Sequence, residues 1–146
     1  MARPKKNTID YFPHDCVADK TVKIINAHFG NEGYAFYYKL FELLGRSENH
    51  FLHCGTEIDW QYLCTELSVE SDKAERIIEF MVDLEIMNRS FWEEHKIIWS
   101  PAFCRMTETV YQKWKRPVPE PTVANKFDAN QYVERTESGE NEYYED

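Results

Sequence analysis

The chain has 146 residues, 42% of them hydrophobic and 15% aromatic, which suffices for one well-filled core and not for two. Its net charge of −9 is uneven: residues 118–146 hold 2 basic against 8 acidic side chains, and residues 1–117 hold 15 against 18. The longer part is thus near balance, which lifts one objection to a polyanionic partner without arguing for one. No apolar run approaches 18 residues and no secretory leader is visible, so a membrane partner is not expected. A cytoplasmic protein with Cys16, Cys54, Cys64 and Cys104 reduced is expected instead.

Residues 1–13 read as an extended arm, basic at Arg3, Lys5 and Lys6 and aromatic at Tyr11 and Phe12, whose far end docks on the core. The three charges suit either a solvated terminus or an arm laid along phosphates. Asp19 can cap a helix running to about His28, with Val22, Ile25 and Phe29 on one face and Gly30 ending it. A second helix is predicted over residues 31–46. It carries Phe36, Leu40, Leu43 and Leu44 in one stripe and Tyr34, Tyr38 and Phe41 in another. A helix apolar around so much of its girth belongs at the centre of a domain.

A short β-like run, residues 51–54, precedes the stretch on which the rest is organised, residues 56–85. Thr56 is a candidate N-cap, with Asp59 at the capping-box distance. Trp60, Leu63, Cys64 and Leu67 then form one apolar face. Residues 68–70 are polar enough to turn. Ser71 or Asp72 is expected to cap the next helix, with Ala74, Ile77, Ile78, Met81 and Leu84 inward. Two short helices needing the same core read as a helix-turn-helix. Beyond it, residues 86–88 and 96–100 are predicted strands of one ribbon, joined by a polar excursion over residues 89–95 that is a turn or a single helical turn, which makes a wing. Pro101 starts a last helix to about Arg116, with Phe103, Met106, Val110 and Trp114 at near-helical spacing, and Pro117 ends it.

The expected fold is therefore mainly α with a small β wing, a winged helix-turn-helix over residues 1–116. Residues 117–146 form an acidic tail with too little apolar content to fold alone. Phe127, Tyr132, Tyr143 and Tyr144 among its acids suit either a short partner-binding motif or a merely solubilising tail.

Catalysis finds no support. His50, His53, Cys54 and Cys64 invite a zinc reading, but adjacent His53 and Cys54 would point to opposite faces of a strand. A core cysteine and a surface histidine are the better expectation. His14, Asp15 and Cys16 lack a third orienting group. Gly30 and Gly33 stand before a helix without the lysine and hydroxyl of a phosphate loop. No catalytic residue, cofactor or metal is expected.

Three features occur in order: residues 9–15 (IDYFPHD), residues 29–35 (FGNEGYA) with Tyr38 and Leu40, and the helix-turn-helix with its wing. Together, over about residues 8–105, they resemble the N-terminal winged-helix domain of DnaD-like replication initiation proteins of phages and prophages. The resemblance implies a winged helix in an origin-binding or helicase-loading protein, where this domain mediates self-association as well as DNA contact. The partners so implied are DNA, a second copy of the chain, and a replicative helicase or its loader.

The second helix of the helix-turn-helix bears on the DNA expectation. Major-groove reading wants Arg, Lys, Asn or Gln on its exposed N-terminal part. Over residues 72–83 only Lys73 and Arg76 qualify, against Asp72, Glu75, Glu79 and Asp83. Phe80, Glu79 and Asp83 are accordingly expected to face a protein. Phosphate contacts are assigned elsewhere: Arg3, Lys5 and Lys6 on the arm, Arg89 and Lys96 on the wing, and Lys113, Lys115 and Arg116 around Trp114. This last cluster equally suits cations placed at a helix C-terminus. Two readings remain, a DNA-binding protein of replication and a winged-helix interaction module with little DNA binding.

Overall fold

A computed structural model of the protein describes residues 7–119. Arg3, Lys5 and Lys6 and all but the first residues of the expected tail lie outside the described residues. The elements run α1 (Lys20–Arg46), a 3-10 turn (Glu48–His50), β1 (Phe51–His53), α2 (Glu57–Leu67), α3 (Ser71–Asp83), α4 (Arg89–His95), β2 (Ile97–Trp99) and α5 (Pro101–Lys113). The fold is mainly helical with a small two-stranded antiparallel sheet.

The two expected helices before residue 47 are limbs of α1, which bends where Gly30 takes φ 67° and ψ −155°. Asp19 caps the first limb by accepting from Val22 N–H (3.0 Å) and Thr21 Oγ1 (2.7 Å). Gly33 serves the same bend by a different route. A Cβ there would lie 2.5 Å from Phe29 Cβ, so only glycine lets the second limb start so close to the first. The GNEG motif is thus a hinge between helices. The second limb runs through the core, burying Phe36, Tyr37, Leu40, Phe41, Leu43 and Leu44, while Tyr34 stays exposed.

In α2, Thr56 Oγ1 accepts from Asp59 N–H (3.1 Å), completing one half of a capping box. The other half is missing because the Asp59 carboxylate faces His53 Nδ1 (3.2 Å). The helix ends with Ser68 in the left-handed region (φ 56°) and Val69 N–H returning to Cys64 O (3.2 Å). The N-cap of α3 is Glu70, without a side-chain cap, rather than Ser71 or Asp72. Ser71 Oγ instead accepts from Trp60 Nε1–H (2.8 Å), which ties the two helices at their turn. Leu63, Cys64 and Leu67 of α2 and Ala74, Ile77, Ile78, Met81 and Val82 of α3 are buried in one core with α1.

The sheet differs from the predicted ribbon. Residues 86–88 are not a strand, and β2 pairs instead with β1 from before the helix-turn-helix, Leu52 opposite Ile98. Asn88 keeps one bond to that edge, N–H to Trp99 O (2.9 Å), but its side chain accepts from Phe91 N–H and caps α4. The polar excursion is therefore a helix, stabilised by burial of Trp92.

Candidate nucleic-acid interface

The expected cations divide into two groups by what they touch. In the first group two of the four, Lys73 and Arg89, are held by carboxylates. Lys73 Nζ pairs with Glu32 of α1, and Arg89 bridges Asp83 Oδ1 (3.0 Å) and Glu93 Oε2 (2.9 Å). Lys96 caps α4 in the left-handed region, its Nζ 4.4 Å from the centroid of Trp92, where it covers a core ring. Arg76 is exposed on α3 among exposed Asp72, Glu75, Glu79 and Asp83. The face of α3 turned to solvent is thus acidic, and the nearby Arg89 is already taken up by Asp83 and Glu93.

The second group lies at the end of α5. Lys113 Nζ donates to Tyr11 Oη (3.4 Å) and sits 5.7 Å from its ring centroid. Arg116 donates to Asn7 Oδ1 (3.2 Å), and its guanidinium lies 5.4 Å from the Tyr111 ring and 5.1 Å from that of Trp114. Lys115 is exposed with φ 57°. The partners of Lys113 are neutral, so its charge is oriented without being cancelled. These contacts bring the N-terminal segment, from Asn7 to Tyr11, onto the end of α5. Lys5 and Lys6 directly precede Asn7 in the sequence.

The expected protein contact changes character. Phe80 is half-buried instead of exposed, because His28 (4.4 Å between ring centroids) and Phe29 (5.5 Å) pack over it. Glu79 is exposed, and Asp83 is bound to Arg89. Two large apolar side chains do reach solvent side by side on α2, where Ile58 is 77% and Tyr62 59% exposed. Their i, i+4 spacing on the face away from Leu63 and Leu67 was available in the sequence as an apolar pair where polar residues belong.

His50, His53 and Cys54 sit in the core. His50 is fully buried, not a surface residue, and bridges Leu44 O (2.8 Å) and Tyr111 Oη (2.5 Å). The His53 side chain is also buried. Burial, helped by the charges of Asp59 and Cys64, pushes the Cys54 thiol up to about 12, far from a reactive thiolate. Among the described residues no three His, Cys, Asp or Glu side chains converge as a metal site, and no helix is long and apolar enough to cross a membrane.

No curated protein and no solved structure matches the chain. A family model does. The one described as "Lin1244/Lin1753-like, N-terminal" spans residues 11–103, from the docked arm through the start of α5. That span takes in the hinge, the helix-turn-helix and both strands, so the chain belongs to the Lin1244/Lin1753-like, N-terminal family.

Proposed function

We propose that the protein serves DNA replication initiation, in the manner implied by its resemblance to DnaD-like winged-helix domains. It grips nucleic acid by the phosphate backbone, at the end of α5 and the adjoining arm, and not through α3. One observation carries the reading: Lys73 and Arg89 are paired with carboxylates and Arg76 stands among exposed Asp72, Glu75, Glu79 and Asp83, whereas Lys113 and Lys115 have no carboxylate partner among the described residues. Neutralised cations release few counterions on meeting DNA, and unmatched ones release many. Binding is accordingly insensitive to sequence, because phosphate contacts carry no base information. The role is one of binding and assembly, without catalysis.

The test is a salt titration with a generic 20-base-pair duplex. Wild-type protein is expected to bind in the micromolar range at ~50 mM salt, with log affinity falling steeply against log salt. Replacing Lys113→Glu and Lys115→Glu together should flatten the slope by about two and weaken binding at least tenfold. No binding at low salt, or an unchanged slope in the double variant, would sink the reading.

A second reading rests on α2. Ile58 and Tyr62 are large apolar side chains standing in solvent on one helix face, the kind of pair that meets another protein, such as a second copy or a helicase or loader. Light scattering checks it. A dimer or larger species that reverts to monomer with Tyr62→Glu supports this reading, and a monomeric wild type counts against it.

A further inference from the structure

Two exposed rings lie close to Lys113, which has no carboxylate partner among the described residues. Trp114 follows it in the chain and is 44% exposed; Tyr11, 54% exposed, receives its ammonium hydrogen bond. Neither ring belongs to the buried core, which holds Tyr111 and Phe103. Both are nevertheless held in place. Trp114 meets Tyr111 edge-on at 5.1 Å and lies under the Arg116 guanidinium, while Tyr11 is fixed between buried Ile9 and half-buried Phe12. Solvent-facing aromatics held in position lose little entropy when a flat partner stacks on them.

Beyond Tyr11 the surface continues into a cleft of about 500 Å³, walled by Ile9, Tyr11, Phe12, His14, Glu42 and Arg46 among others. Its far side is reached at His14, which stacks on Tyr38 (3.9 Å, 11°) and hydrogen-bonds exposed Tyr34 (3.1 Å). Arg46 is paired with Glu66, and Asp10 and Glu42 add negative charge there. A phosphate is therefore favoured beside Lys113 and Lys115 and disfavoured in the cleft, where an uncharged base fits better.

Rings and cations alternating on one surface are what an unpaired strand requires, since its bases can turn outward to stack while its phosphates track the positive charge. A duplex hides its base faces and gains nothing from Trp114 or Tyr11. Resting on the backbone-contact reading above, we infer that the end of α5 and the docked arm form a binding site for single-stranded nucleic acid, with Trp114 and Tyr11 as stacking platforms and Lys113 and Lys115 as phosphate contacts.

The experiment compares a labelled dT20 oligonucleotide with the 20-base-pair duplex, using the whole chain at ~50 mM salt. Wild type should bind dT20 about tenfold or more tightly than the duplex, and dT20 should quench tryptophan fluorescence. Trp114→Ala and Tyr11→Ala should each weaken dT20 binding about tenfold, and Trp114→Ala should abolish the quenching. Both side chains are substantially exposed, and an unchanged far-ultraviolet spectrum will show that the variants fold. Duplex binding without preference for dT20, or ring variants that leave dT20 binding intact, overturns this inference alone. Absence of binding to either probe overturns the backbone-contact reading as well.

Discussion

His50 shows how one side chain joins distant parts of this chain. Its Nδ1 lies 2.8 Å from Leu44 O, which can only accept, so Nδ1 carries the proton and Nε2 accepts from the Tyr111 hydroxyl. Burial holds the imidazole below its ordinary value of 6.5, only partly offset by the carbonyls of Leu44 and Ser47, and burial raises the Tyr111 phenol to about 12. Both groups are therefore neutral together, as this pair of hydrogen bonds demands. The linkage has a definite sign. A histidine depressed in the folded state contributes stability above pH 6.5 that is lost as pH falls below 6.5 toward the folded value, where the unfolded chain takes the proton first. Urea unfolding should show lower stability at pH 5.5 than at pH 7.5, and the difference should shrink in His50→Gln. Tyr111→Phe leaves Nε2 buried and unsatisfied, and should cost about 1–3 kcal/mol at pH 7.5.

At the scale of elements, α1 depends on two glycines for opposite reasons. Gly30 needs its backbone angles and has open space around it; Gly33 has helical angles and no space. Gly30→Ala should cost about 1–3 kcal/mol through backbone strain alone. Thr56→Ala should cost about 1 kcal/mol, since it removes a single cap from α2. Chemical denaturation of both variants checks the order, and an equal or smaller loss for Gly30→Ala would refute the strain account. The caps at Asp19 and Thr56 and the break at Gly30 were legible in the sequence because each is a local choice among neighbours. The start of α3 was not. Ser71 has the chemistry of a cap, but Trp60 from the previous helix claims its hydroxyl. The β ribbon failed for a related reason: residues 86–88 and β1 are both short, and sequence periodicity gives no information on which of them β2 prefers.

For the whole molecule, the sign of each surface depends on pairing more than on composition. Lys73→Ala and Arg89→Ala should each leave duplex binding within about twofold of wild type, because a cation already matched by carboxylate adds little counterion release. Their binding isotherms, set beside that of the Lys113 and Lys115 double variant, test the partition directly. A loss at Arg89 as large as at Lys113 would place the contact on the helix-turn-helix after all. The sequence also proposed the basic residues at the end of α5 for phosphate contact without the aromatic that packs against one of them. Tyr11 lies 102 positions from Lys113, and no spacing rule spans that distance.

The sequence by itself determined a mainly helical domain built on a helix-turn-helix, the caps at Asp19 and Thr56 and the break at Gly30 that shape it, and an acidic outer face on α3. These follow from periodicity, local hydrogen bonding and charge count, all of which act between near neighbours. Only the tertiary structure decided which strand β2 joins, that Phe80 lies under His28 and Phe29, and which cations pair with carboxylates among the described residues. Those outcomes depend on side chains brought together from far apart in the chain, so the same Lys or Phe means something different according to what folds against it.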